Sequence, residues 1–363
     1  TKKSLQNLGF FTKIDVEQVP GSAPDKTVIN VNVEEKPTGS ISLGAGFSSS
    51  VGVLGDIRLR ESNFLGKGQD VSLKLQLAAE ASQVDFSFTE PYFMDRDVSA
   101  GFDLFRSTRN LQSTSSFDIE RVGGRLRGGY KITENLSEFW RYTLKLTTIN
   151  SVASDASSLI VAQKGDDLLS EVGHTMKYDH TDNIIKPTSG YLLRLDTDVA
   201  GLGGSVSHLR NTASGNFYYP LADQWVLSAK SKFGYVMGLG KDVKLSERYF
   251  VGGEDVRGFE TSGIGPRDLA TDDALGGEWM YAGSFGLAFP LGLPEELGVG
   301  GHLFTDFGSS ASLSPTNSTT ADSSSLRMGV GMGASWESPF GPLGVDFSIP
   351  VLKEDYDRKE YVR

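Results

Sequence analysis

The sequence predicts an all-β chain: a transmembrane antiparallel β-barrel of sixteen strands, preceded by a short segment of different character. Three observations point there. Apolar and polar residues alternate with period two over segments of about ten residues or more, longer than the five or six usual in a globular sheet. Aromatic residues tend to close those apolar series, as in the girdle of a membrane barrel. Helix signals are nearly absent after the first ten residues, and no run of about 18 apolar residues exists from which a spanning helix could be built.

Taken in order, Ser4 to Gly9 reads as a helix end stopped by glycine, and Phe11 to Val19 and Thr27 to Val33 as two short strands joined by a Pro-Gly-Ser turn. This part, residues 1–35, is too small to fold alone and reads as the tail of a preceding domain, so the chain is expected to be a fragment of a longer precursor. From residue 36 the barrel begins, with strands near 39–49, 53–63, 68–80, 82–90, 97–107, 116–131, 138–150, 168–180, 190–201, 204–219, 223–238, 278–291, 296–308, 325–337 and 342–350, and a sixteenth from about Lys359. An even number suits a bacterial single-chain barrel. Leu73, Leu195, Leu227 and Val330 fall on the phase expected to meet lipid, and Lys74, Arg194, Lys230 and Arg327 on the phase expected to face water. Tight turns such as Pro187-Thr188-Ser189-Gly190 and Pro339-Phe340-Gly341-Pro342 belong to the periplasmic side, and long polar loops such as 151–167 and 309–324 to the outside.

Composition narrows the function. The 363 residues contain no cysteine, which removes disulfides, thiolate nucleophiles and cysteine metal sites. A net charge of −11 with scattered basic residues argues against a nucleic-acid partner. His174, His180, His208 and His302 show no metal-ligand spacing, and neither a nucleophile elbow nor a phosphate-binding glycine loop is present, so no enzyme activity and no cofactor is expected. Asp179-His180 reads as a polar turn, and Asp272-Asp273 as a solvated loop pair.

The connection 239–277 stands apart. Gly252, Gly253, Val256, Arg257, Gly258 and Phe259 place one arginine among glycines and aromatics, the composition of a structured loop. The strand phase at Leu303, Thr305 and Phe307 turns His302 and Asp306 inward, and the phase of Val345 to Ile349 does the same for Asp346. The first strand carries Gly39, Gly44 and Gly46 beside Ser42 and Leu43; these glycines fit either a weakly paired seam or a crowded barrel bend.

The motifs resemble the BamA family, outer-membrane barrel-assembly proteins in which POTRA domains precede the barrel. Leu8-Gly9-Phe10-Phe11 with Val28 to Glu35, Asn63 to Gly68, Thr89 to Phe93, Asp182-Asn183 with Pro187 to Gly190, Val256-Arg257-Gly258-Phe259 and Ser338 to Leu343 occur in the family's order across essentially the whole chain. The resemblance implies that residues 1–35 end the last POTRA domain, that loop 239–277 enters the barrel lumen, and that Arg257 meets Asp306 first, with Asp346 as a further candidate. It implies a lateral seam between the first strand, at Gly39, Ser42, Leu43, Gly44 and Gly46, and a last strand cut short at Tyr361. It also implies an assembly function in the bacterial outer membrane, without nucleotide. The partners would be unfolded outer-membrane β-barrel proteins, periplasmic chaperones, accessory lipoproteins and outer-membrane lipid. A family glutamate has Gly286 in its place. A two-partner-secretion transporter of the same superfamily and a passive porin are the competing readings.

Overall fold

The structure, a computed structural model, describes residues 9–23, 25–338 and 341–363. The expected helix end at residues 4–8 and the Pro339-Phe340 part of the last turn lie outside them. A two-stranded hairpin, β1 (Phe11–Pro20) and β2 (Thr27–Glu35), comes first, with Val16 opposite Val31. The chain continues through β3 (Gly39–Ser48), β4 (Gly52–Phe64), β5 (Gln69–Ala78), β6 (Ala81–Glu90), β7 (Val98–Asn110), β8 (Asp118–Lys131), β9 (Leu136–Asn150), β10 (Gly165–Asp179), β11 (Gly190–Gly204), β12 (His208–Ala222) and β13 (Trp225–Gly238). Two-residue strands β14 (Arg267–Asp268) and β15 (Asp273–Ala274) follow, then β16 (Trp279–Pro290), β17 (Val299–Ala311), the two-residue β18 (Thr320–Ala321), β19 (Arg327–Ser338) and β20 (Gly341–Leu352). The long strands form one antiparallel sheet of 15, each beside its neighbour in the chain; β14, β15 and β18 form a small sheet of their own.

The sixteenth strand expected from Lys359 is not part of that sheet. Val362 makes an isolated bridge to Phe347, supported by backbone bonds between Asp346 and Arg363 and from Ser348 N to the Tyr361 carbonyl. The residues just before it are used elsewhere: Glu260 N donates to Arg358 O, Arg358 N to Gly263 O, and Glu360 N to Gly258 O. Backbone groups satisfied by the long loop are not available to a ladder with β20.

Alternation places the side chains as expected. On β9, Trp140, Tyr142, Leu144 and Leu146 point outward, and Arg141, Thr143, Lys145 and Thr147 point into the lumen; β11 repeats this with Leu193 and Leu195 against Arg194, Asp196 and Asp198. Lumen charges pair across strands, as in Arg127–Asp103 at 3.0 Å and Arg60–Asp70 at 2.7 Å. Arg327 departs from expectation. It is fully buried against Asp357, 3.0 Å away, and also donates to Ser309 Oγ, to the Ser323 and Ser325 carbonyls and to the Tyr356 hydroxyl, because residues 353–358 fold over the end of β19.

The connections 111–117, 151–164, 239–278 and 312–326 share one end, and the β1–β2 hairpin lies at the other, where Phe10 approaches Gly68. The tight turns are not confined to the hairpin end, since 49–51 and 79–80 join strands at the long-loop end. Adjacent residues on one strand test the facing. Leu75→Arg is expected to cost about 2–4 kcal/mol in urea titrations in bilayers, as for a cation set against lipid, whereas Gln76→Arg, which turns inward opposite Asp56, is expected to stay within about 0.5 kcal/mol.

Candidate functional site in the barrel lumen

The segment between β13 and β16 dips into the barrel because its glycines allow turns that other residues resist. Gly252 and Gly258 have φ of 122° and 100°, in the left-handed region, and a Cβ on Gly252 would run into the Glu260 carbonyl. Around these turns Val251, Val256 and Phe259, with Ile264, are buried against Met280 and Ala282 of β16. That packing aims the next side chain, Arg257, at the wall formed by β16, β17, β19 and β20.

Arg257 meets three strands at once. Its Nε donates to Asp306 Oδ2 at 2.6 Å and its Nη2 to Asp306 Oδ1 at 3.0 Å, a two-pronged pair completed by its own backbone N–H at 3.1 Å. Nη1 reaches Asp346 Oδ2 at 3.1 Å, and Nη2 lies 3.5 Å from Ser284 Oγ. The guanidinium carbon sits 3.3 Å from the centre of the Phe304 ring, stacked on its face. Asp306 is 1% exposed, so its charge is satisfied almost wholly by this arginine. His302 Nε2 lies 2.6 Å from the other oxygen of Asp346. The sequence placed both acids correctly; it missed Phe304 and His302 as partners, although both share the phase of Asp306.

Room for the arginine comes from β19. A side chain on Gly329 would collide with the Arg257 carbonyl, one on Gly331 with the Phe304 ring, and one on Gly333 with Asp346 and His302. These glycines alternate with Met328, Val330 and Met332, and that alternation was the available signal of a trough. Gly286, where the resemblance implies a glutamate, faces Ser228 Oγ instead.

Further out, Glu247 is buried between Lys145 at 2.9 Å and Arg210 at 3.0 Å; burial alone would raise its carboxyl, and the two cations hold it low. The mouth is capped by the β14–β15–β18 sheet over Phe117, Ile119, Ile149, Ile160, Leu245, Leu275 and Leu313. Asp273 is a correction: it is buried, not solvated, and accepts from Ser116 Oγ at 2.6 Å and Ser157 N at 2.7 Å. Beside it Asp268 accepts from Ser157 and Thr319 hydroxyls at 2.6 Å and from Asn317 at 2.9 Å. Burial works to raise its carboxyl, but these bonds prevail and lower it from 3.8 to about 2.

Of the residues expected at a seam, Gly39, Ser42, Leu43, Gly44 and Gly46 lie on the free edge of β3. Among the described residues no ladder joins β3 to β20. Ile41, Leu43 and Phe47 are 73–75% exposed. Gly44 leaves room for Asp56, whose carboxylate a Cβ would strike, so crowding accounts for it; Gly46 faces only Leu54 at 3.8 Å and has no such reason. Gly39 lies beside Glu61, Ser42 pairs with Arg58, and Tyr361 lies against β20 and not against β3.

Residues 63–363 match the Omp85 superfamily domain. The chain belongs to the Omp85 superfamily. It is 31% identical over 100% of its length to the outer membrane protein assembly factor BamA of Neorickettsia risticii, covering 49% of that protein, and 28% identical over 99% to that of Nitratidesulfovibrio vulgaris, covering 45%. It spans about half the length of these relatives. Among solved structures it resembles BamA from Haemophilus ducreyi lacking POTRA domains 1-3 (TM-score 0.88, 22% identity, 99% of this chain and 76% of that one) more than CdiB from Escherichia coli (TM-score 0.64, 14% identity, 99% and 67%). These likenesses and the barrel place this Omp85 protein in the bacterial outer membrane.

Removing Arg257 strands a buried carboxylate. Arg257→Ala is therefore expected to destabilise by about 3–5 kcal/mol, and a double-mutant cycle with Asp306→Ala to give a coupling of about 1.5–3 kcal/mol by urea unfolding. Additive effects would dissolve the pair. The cap should be acid-sensitive. Because the Asp268 carboxyl is lowered, its contribution is complete above 3.8 and is lost as pH falls through about 2. Pepsin cleavage of loop 239–277 is expected to rise over that window, and less so in Asp268→Asn.

Proposed function

We propose that this protein folds and inserts other outer-membrane β-barrel proteins, admitting their strands at a seam between β3 and a sixteenth strand that begins near Lys359. The observation that carries the reading is the free edge of β3. Among the described residues its N–H and C=O groups have no partner strand on one side, and in a membrane such groups must be paired. An incoming strand satisfies them by adding to the sheet, and the burial and hydrogen bonding of the client supply the free energy, so no nucleotide is needed. The name carried by the BamA relatives supports the same reading.

On this reading residues 1–35 close a POTRA domain, which with chaperones and accessory lipoproteins would deliver unfolded clients to the hairpin end. The arginine loop would hold the wall formed by β16, β17, β19 and β20 in shape while the edge opens. A passive porin fits less well, since the loop occupies the lumen; steady single-channel conductance of the unmodified protein would favour the porin.

The test is a reversible lock. In the full-length protein, a cysteine at Ser42 is paired with cysteines stepped along the residues after Tyr361 until a disulfide forms. Cross-linked protein is expected to lose client insertion into liposomes at least tenfold, with recovery on reduction. Full activity in demonstrably cross-linked protein would remove the seam from the mechanism.

A further inference from the structure

At the outer mouth a cavity of about 390 Å³ lies between the β7–β8 wall and the loop. Arg109 and Arg121 line it from the wall, as diagonal neighbours on the lumen face, since Arg109 stands opposite Ile119. Arg248 faces them from the loop. Neither Arg109 nor Arg121 makes a hydrogen bond or ion pair with any described residue. Among the described residues Arg248 donates only to carbonyls, those of Val243, Leu275 and Ser314 at 3.0–3.3 Å, and burial pushes its guanidinium down to about 10.

The other charges at the cavity do not neutralise these three. Asp255 is held by Lys232 at 3.1 Å and Arg363 by Glu360 at 3.1 Å, and Glu254 lies on the exposed rim; Glu247, which attracts Arg121, is already shared by Lys145 and Arg210, and Glu278 and Asp242 attract Arg248 without an ion pair to it among the described residues. Elsewhere in the lumen, Arg127, Arg141, Arg210 and Arg257 each have a carboxylate. Like charges gathered in a partly dehydrated space are unfavourable unless a counter-charge occupies it.

We propose that this cavity binds a phosphate-bearing anion, either free phosphate or the phosphate of a lipid headgroup reaching the barrel mouth. Free phosphate, or a phosphate monoester such as that of phosphatidic acid, carries about −1.5 to −2 charges at neutral pH and several acceptor oxygens, which suits three guanidiniums better than a single carboxylate does. Bound there, it would tie the β7–β8 wall to the loop that carries Arg257.

The test uses the full-length protein in nanodiscs of neutral phosphatidylcholine, titrated calorimetrically with inorganic phosphate at constant ionic strength. Saturable binding is expected, weakened at least tenfold by Arg121→Gln and by Arg109→Gln and less by Arg121→Lys, which keeps the charge. Arg125→Gln, on the same lumen face outside the cavity, is expected to leave it unchanged. If a headgroup is the source, nanodiscs containing phosphatidic acid compete and raise the apparent Kd at least tenfold; if free phosphate is the source, the lipid makes no difference. Should Arg121→Gln fail to fold, Arg109→Gln and Arg121→Lys decide. No saturable binding in either lipid, or equal loss in Arg125→Gln and the cavity variants, would overturn the proposal.

Discussion

A guanidinium held between two carboxylates inside a barrel is the interaction on which the other features depend. Asp306 is almost wholly buried and Asp346 partly so, and neither could carry its charge there without Arg257. The arginine can reach them only because Gly329, Gly331 and Gly333 hollow out β19 and because Phe304 supplies a flat face below it. Loop position follows from that contact. So does the course of the last residues, since the loop backbone at Gly258, Glu260 and Gly263 pairs with 358–360 and draws them away from β20. The half-buried Arg257 is thus linked, through two sets of backbone hydrogen bonds, to the edge where a further strand would join.

The lumen explains why so charged a chain can live in a membrane. Its mean hydropathy of −0.22 is that of a water-soluble protein, because only every second residue of a strand meets lipid. The inward half is polar and is balanced locally: Lys145 and Arg210 share Glu247, while Arg141 reaches Asp196 and Asp198. Exposed pairs of this kind are worth little, but within a partly dehydrated lumen an unpaired member is costly. The β7–β8 wall, where Arg109 and Arg121 lack such partners, departs from that rule.

The edges of the sheet carry the opposite lesson. Satisfied ladders make a barrel wall inert, whereas β3 presents highly exposed outward side chains and a backbone that has no partner on one side among the described residues. Gly44 is there to admit Asp56. Glycine content alone therefore does not mark a weakly paired edge.

Period-two alternation made the barrel legible because each strand's facing is a local property: Leu195 must point away from Arg194 whatever lies beside them. The same rule turned Asp306 and Asp346 inward, and the glycines of the long loop announced its turns. Which inward residues would meet was not local. Arg257 and Asp306 are 49 positions apart and Arg257 and Asp346 are 89, and only closure of the wall brings them within hydrogen-bonding reach. Tertiary structure also decided that Arg327 and Asp273 are buried, since segments remote in sequence cover them, and that the residues after β20 pair with the loop before they pair with the sheet. Alternation assigns a side chain to a face; what else occupies that face depends on contacts that no single stretch of sequence contains.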